Sequence, residues 1–276
     1  MTDERPLGLD GLEWRPEGVC VYTGDALALI GAVEEVLAGF ARDWPAEHQS
    51  APPLLPAGLL ERYGYLTEFP HLVTLQASLD PAAREEDGRV LAPTGNALTP
   101  AACYHVYPRA ADADLRAPRL FRVGGLCFRH ESGCRPLARQ RVFTMREIVC
   151  LGAPADVSAF LERARAAADR LLGGLGLRHE WQVATDPFFS AASPARLAQR
   201  IVPSKWEARA EGVAVCSLNH HRSFFAERHR VRAGGGPAAS ACLAFGVERV
   251  AYALVRRHGP DRARWERAAA RLPAAG

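Results

Sequence analysis

The sequence predicts an α+β fold in which a mainly antiparallel sheet is flanked by helices. Three observations predict it. Short apolar runs bounded by Pro and Gly recur between Val90 and Val149 at hairpin-like spacing. Helical patterns precede and follow these runs instead of alternating with them, which is not the order of a βαβ succession. Finally, no phosphate-binding glycine loop occurs, neither GxGxxG nor GxxxxGKS/T.

Each element follows from local pattern. Residues 1–20 are polar and irregular. Asp25 is read as the cap of a helix over Ala26–Trp44, where Leu27, Ile30, Val33, Leu37 and Phe40 recur at helical spacing. Pro45–Pro56 is a Pro-rich connector, and Leu59–Leu72 is a short helical stretch broken at Gly64 and Pro70. Residues 76–90 read as a loop. Strands are predicted at Val90–Ala92, Tyr104–Tyr107, Leu120–Val123, Leu126–Arg129 and Thr144–Cys150. Asp156 caps an amphipathic helix that runs to about Leu172 and closes at Gly173-Gly174. Further strands are expected at Arg178–Ala184 and Val213–Leu218, and Ala241–Arg257 reads as a strand turning into a helix. The organisation is one domain: a partly helical segment over 1–60, a core over 64–257 and an Arg/Ala-rich tail over 258–276.

Bulk properties limit the function classes. The 276 residues suffice for one sizeable core, and at 48% hydrophobic and 24% charged the chain is that of a folded protein. A net charge of +3 is too small to argue a nucleic-acid coat. Lys205 is the only lysine, so cationic work falls to Arg, whose planar fork suits phosphates and carboxylates. The N-terminus lacks signal-peptide order and no apolar run approaches ~18 residues, so a cytoplasmic protein with no membrane association is expected. The seven cysteines are scattered without a CxxC pair, and any metal site must be assembled from distant segments.

The chemistry-bearing stretches lie in the core. Phe128-Arg129-His130-Glu131, the loop Ser132–Val142 and Phe143-Thr144-Met145-Arg146-Glu147 resemble motif 2 of the class II aminoacyl-tRNA synthetases. The resemblance implies a hairpin that folds over ATP. Arg129 would stabilise charge on the α-phosphoryl group, Glu131 would accept from the adenine amine, Arg139 would reach another phosphate, and Phe143 or Met145 would cover the base. Arg129 and Glu131, two apart on a strand, also suit a plain ion pair. Cys242-Leu-Ala-Phe-Gly-Val-Glu-Arg249 resembles motif 3, in which an Arg at a helix start reaches the γ-phosphate; Arg249 is the match. The usual Gly-x-Gly-x-Gly is reduced here to Cys242-x-Ala244-x-Gly246.

That departure resembles a narrower group, the atypical seryl-tRNA synthetases of methanogens and the truncated bacterial amino acid:[carrier protein] ligases related to them. In that group a Cys at this place, an earlier Cys and a Glu closing motif 2 hold zinc. Cys103, Glu147 and Cys242 stand at those positions. Three protein ligands leave the fourth tetrahedral position open for a substrate amine. Ser217-Leu-Asn219-His-His221 resembles the group's Ser-x-Asn-x-His segment, and Lys205-Trp-Glu207 its Lys-x-Glu strand, which places Lys205, Glu207, Ser217 and Asn219 against the substrate. Cys127, Cys134, Cys150 and Cys216 do not coincide with ligand positions, and His220 and His221 read as ordinary surface or core histidines. Synthetases place an acidic residue ahead of the Ser/Asn segment for ATP-bound Mg2+. Val213–Leu218 contains none, and Glu211 is the nearest in sequence.

The resemblance implies a class II synthetase core, dimeric through motif 1 elements matched loosely to Tyr63–Leu72. It implies activation of a small amino acid, glycine or alanine, to an aminoacyl-adenylate, with zinc, ATP and Mg2+ as cofactors. The acceptor is then the phosphopantetheine thiol of a carrier protein. A chain of this length is not expected to hold the large tRNA-binding domain of its relatives. Two other readings stay open: a seryl or other small-amino-acid tRNA synthetase without its own tRNA-binding domain, and a non-catalytic paralogue.

Overall fold

In the computed structural model, which describes residues 7–79 and 90–269, the chain is organised around a seven-stranded sheet. Numbered in chain order, its strands are β1 (Glu47–Ser50), β2 (Arg119–Phe128), β3 (Val142–Gly152), β4 (Glu180–Val183), β5 (Lys205–Ala210), β6 (Val213–Arg222) and β7 (Ala239–Gly246). The spatial order is β4-β5-β6-β7-β3-β2-β1. Every neighbouring pair is antiparallel except β1, which runs parallel to β2. Among the described residues no helix is long and apolar enough to cross a membrane.

The period-2 alternation of a strand gives the sheet two different faces. Ile148 and Cys150 of β3 and Ala241, Leu243 and Phe245 of β7 point to one face. There they meet α1 (Gly24–Arg42), α2 (Pro154–Gly174) and α3 (Val247–His258), in a core that includes Leu29, Leu37, Phe160, Leu171, Val250 and Leu254. Leu29 and Leu37 are fully buried, and each contributes about 2 kcal/mol of transfer free energy. The alternate residues, Glu147 and Val149 of β3 and Cys242 and Ala244 of β7, point to the other face. Among the described residues no long helix covers that side. Short 3-10 segments at Ala102–His105 and Tyr107–Ala110 and a short helix at Phe224–Arg228 pack there instead, leaving a cavity.

Several expectations need correction. The first residues are not all irregular: Leu12–Arg15 and Val19–Tyr22 form a hairpin, with Gly18 at φ +82° in its turn. Asp25 does not cap α1. Thr23 stands at the cap, and Asp25 lies in the first turn, where a carboxylate suits the helix dipole. Asp156 likewise sits inside α2, and its Oδ2 accepts from the Ala153 N–H at 3.2 Å, with Ala153 at the cap. Part of the 76–90 loop is strand, since Leu75–Leu79 pairs with Leu91–Leu98; residues 80–89 lie outside those described.

Tyr104–Tyr107 is not a strand but falls in the two 3-10 turns, which drive Cys103, Val106 and Tyr107 into the core. Leu120–Val123 and Leu126–Arg129 are not two strands either. The former and most of the latter belong to β2, which runs straight through Gly124-Gly125. Glycine is required at 125, where a side chain would collide with the Ala51 carbonyl, while one at 124 would displace the Arg146 side chain. In Tyr63–Leu72, the segment matched to motif 1, Tyr63, Tyr65, Glu68, Phe69 and Leu72 line the cavity. A helix at Pro194–Ile201 was not foreseen from the sequence.

Candidate active site

Strand registry builds the floor of the site. Lys205 of β5 stands opposite Asn219 of β6, and Asn219 opposite Cys242 of β7. The next rung on the same face aligns Glu207, Ser217, Ala244 and Glu147 across four strands, and Glu147 pairs with Val123 of β2. Two parallel rows of functional side chains thus cross the sheet beneath a cavity of about 860 Å³. Apart from Glu211, every candidate site residue named from the sequence lines that cavity: Cys103, Arg129, Glu131, Arg139, Phe143, Met145, Glu147, Lys205, Glu207, Ser217, Asn219, Cys242 and Arg249.

At one end the Cys103, Glu147 and Cys242 ligand atoms lie within 4.8 Å of one another, all three residues buried. Cys103 arrives from the 3-10 turn after Pro100, and its backbone N–H donates to Glu147 Oε1 at 3.3 Å. Burial, with the Cys242 sulfur beside it, pushes the Glu147 carboxyl up to about 8. The Cys103 thiol, donating to Cys242 and buried, is held well above its ordinary value. Cys242 is held well below, because it accepts hydrogen bonds from Cys103, His221 and Asn219 that outweigh burial. With Cys242 ionised, the neighbouring Cys103 and Glu147 are held protonated, and a divalent cation would remove that opposition. Tetrahedral zinc, with bonds of ~2.0–2.3 Å, needs ligand atoms ~3.3–3.8 Å apart, which small side-chain adjustments supply. Two thiolates and a carboxylate are donors zinc accepts, so the residues fit the ion.

At the other end three arginines gather. Arg129 Nε donates to the Pro100 carbonyl at 3.0 Å, and its guanidinium lies 5.1 Å from the centre of the Phe143 ring. Arg249 Nε donates to the Ala138 carbonyl at 3.0 Å, which ties the start of α3 to the loop between β2 and β3. In that loop Arg139 is half-exposed and stands 3.8 Å from Glu131. Burial, and the like charges of Arg129 and Arg139, hold the Arg249 guanidinium below its ordinary value. Clustered guanidinium groups of this kind suit an anion. Between the two ends, Lys205 Nζ reaches Asp186 Oδ1 at 2.8 Å and Glu207 Oε1 at 3.5 Å, and Asn219 Nδ2 donates to Ser217 Oγ at 3.1 Å.

Sequence reasoning missed several cavity residues. Asp186 lies in a stretch with no recognisable motif, and Glu68 lies in the segment matched only loosely to motif 1: Asp186 is held by Lys205 and by Gln199 Nε2 at 3.0 Å, and Glu68 Oε2 accepts from Ser193 Oγ at 2.6 Å. Glu248, beside Arg249, is buried with its carboxylate accepting from the Thr144 N–H at 2.9 and 3.0 Å. His221, read as an ordinary surface or core histidine, lines the cavity with its Nε2 3.8 Å from Cys242 Sγ. Ser-x-Asn-x-His, with period 2 on one strand, carried that signal. Glu211, nearest in sequence for magnesium, is exposed in the β5–β6 turn and is not among the cavity residues, whereas Glu207 is. Cys127, Cys150 and Cys216 are buried, and burial raises each thiol.

No family model matches the chain. Two curated relatives come from Bradyrhizobium diazoefficiens. Amino acid:[acyl-carrier-protein] ligase 1 is 34% identical over 266 residues, covering 86% of this chain and 80% of the relative. Amino acid:[acyl-carrier-protein] ligase 2 is 37% identical over 238 residues, covering 78% and 70%. Among solved structures, M. kandleri SerRS in complex with A. aeolicus tRNASec matches with a TM-score of 0.81 at 22% identity, which is a likeness of fold. That match covers 94% of this chain, and the chain spans 57% of the length of that synthetase.

Proposed function

The chain belongs to the amino acid:[acyl-carrier-protein] ligases, a family of ATP-dependent enzymes, and from that premise we propose that it activates a small amino acid and loads it onto a carrier protein. The observation that carries the proposal is the composition of one cavity: a Cys/Glu/Cys trio at one end, three arginines at the other, and a polar row between them.

Cys103, Glu147 and Cys242 would hold zinc, which supplies when bound an open position for an α-amino group. Lys205 and Asn219 face the amino acid's carboxylate from the central row. Arg129 and Arg249 align the triphosphate, with Arg139 on an outer phosphate, Glu131 on the adenine amine, and Phe143 and Met145 along the base. Ser217 and Glu207 share the next rung, where Glu207 is the carboxylate available to the Mg2+ that accompanies ATP. The substrate carboxylate oxygen attacks the α-phosphorus, the bond to the bridging oxygen breaks, and pyrophosphate leaves. Orientation and fixed positive charge supply the rate enhancement, and no side chain serves as nucleophile. The phosphopantetheine sulfur then attacks the carbonyl carbon of the adenylate, a thioester forms, and AMP departs with the thiol proton released to solvent.

Tyr63, Tyr104 and Phe225 line the cavity and pack in one cluster with Cys103 and Cys242. Rings crowded beside the amine position favour a substrate with little side chain, in keeping with glycine or alanine. The enzyme is taken to act as a homodimer in the cytoplasm.

Amino-acid-dependent exchange of pyrophosphate into ATP tests the first half, and no exchange with any amino acid would sink it. Loading of a phosphopantetheinylated carrier protein, run beside loading of tRNA, tests the acceptor. Transfer to tRNA alone would replace the carrier reading with that of a tRNA synthetase.

A further inference from the structure

Two nitrogen donors converge on one sulfur of the trio. Asn219 Nδ2 donates to Cys242 Sγ at 3.3 Å, and His221 Nε2 stands 3.8 Å from the same atom. His221 reaches it through an irregularity in the strand. The β6–β7 register pairs His220 with Ala241 and Arg222 with Ser240, so His221 is the extra residue of a β-bulge, followed by Arg222 at φ +53°. Bulges next to active sites re-aim a side chain, and this one sets the imidazole between Ser240 and Cys242.

The other edge of the ring selects its tautomer. Nδ1 lies 3.1 Å from Tyr107 OH and 3.2 Å from Ser240 Oγ, and both of these residues are fully buried. A phenol is the better donor of such a pair, so Nδ1 accepts and the ring proton stands on Nε2, directed at the sulfur. The opposite tautomer would set a nitrogen lone pair against the sulfur of a metal ligand. Tyr107 is fixed in turn by a stack on Phe225, with ring centroids 4.1 Å apart and planes 9° from parallel.

We propose that His221, oriented by Tyr107, is a positioning residue that caps Cys242 with an Nε2–H···S bond and, together with Asn219, pre-organises that cysteine as a metal ligand. The inference rests on the zinc reading of the trio. Outer-shell partners that fix a ligand's orientation are worth about 10–100-fold in metal affinity. N–H···S bonds also draw electron density from the sulfur, which is observable without turnover.

The test uses the full chain and its His221→Leu, His221→Gln and Tyr107→Phe variants. Zinc affinity is measured by competition with a chromophoric chelator, and the thiolate-to-cobalt charge-transfer band is recorded after cobalt substitution. His221→Leu is expected to weaken zinc about 10–100-fold and to move the band to lower energy, because the sulfur regains electron density. His221→Gln returns an N–H donor and recovers most of both. Tyr107→Phe moves the band in the same direction by a smaller amount, and it carries the test if the leucine variant does not fold. Unchanged affinity and an unchanged band in His221→Leu, or an unchanged band in Tyr107→Phe, overturn the proposal while the trio stands. A wild-type chain that binds neither metal overturns the zinc reading itself, and this inference with it.

Discussion

Glu248 offers a prediction whose size follows from the structure. It is the second residue of α3, 5% exposed, with both carboxylate oxygens facing the backbone N–H of Thr144 on β3. Burial raises its carboxyl from 4.5 to about 7, with Glu34 contributing in the same direction. A folded-state value above the unfolded one means that the folded protein holds the proton more tightly. The associated stability is therefore fully present below pH 4.5 and is lost as pH rises to about 7, beyond which the loss is constant. Between pH 5 and 8 the loss amounts to about 2–3 kcal/mol. Glu248→Gln abolishes this titration and leaves every other group in place. Urea unfolding of both proteins across that range should show the wild type losing about 2–3 kcal/mol relative to the variant as pH rises, with the change centred between the two values. A wild-type-minus-variant difference that stays level with pH would refute the argument that burial controls this carboxyl. The group matters to the site because its bonds tie the start of α3, which carries Arg249, to the strand that carries Phe143 and Met145.

Three further outcomes are expected. Arg129→Ala and Arg249→Ala should each lower amino-acid-dependent ATP–pyrophosphate exchange by about 10²–10³, the scale of losing one fixed donor to developing charge; an exchange rate within threefold of wild type in either would remove that residue from the phosphate site. Wild-type protein should bind about one zinc per chain and Cys242→Ala should bind none, as measured by metal analysis after dialysis, and a metal-free wild type that still activates amino acid would contradict the zinc assignment. Because Lys205 is the only lysine, amine acylation followed by peptide mass analysis reports on the centre of the cavity. ATP together with glycine should slow its modification at least tenfold through occlusion, whereas unaltered labelling would place the substrates elsewhere.

Much of the site was legible because strand residues two apart share a face. Ser217 and Asn219, Lys205 and Glu207, and Cys242 and Ala244 each declare a common direction once their segments are read as strands. Motif spacing carried Arg129, Glu131 and Arg249, since each is fixed by local backbone next to a recognisable turn or helix start. Legibility failed where a residue's role is defined by a partner far along the chain. Asp186 has no motif, and only folding brings it to Lys205. His221 shares a face with Ser217 and Asn219 by period 2, but only the pairing of β6 with β7 brings it to Cys242, twenty-one positions on. The Tyr104–Tyr107 run has the apolar, aromatic composition of a strand, yet it folds as 3-10 turns because Cys103 and Tyr107 must both enter the core under the sheet.

The sequence by itself determined the chemistry available to this protein: which side chains carry charge, sulfur or a ring, and on which face of each strand they stand. Tertiary structure decided which of them meet. The order β5-β6-β7-β3-β2 is set by non-local pairing, and that order aligns Glu207, Ser217, Ala244, Glu147 and Val123 on one rung, bringing Cys103 over Glu147 and Cys242. Local pattern fixes a side chain's direction, because backbone geometry repeats every two residues along a strand. It does not fix a neighbour from a distant segment, because that depends on which strands pair to bury a common core.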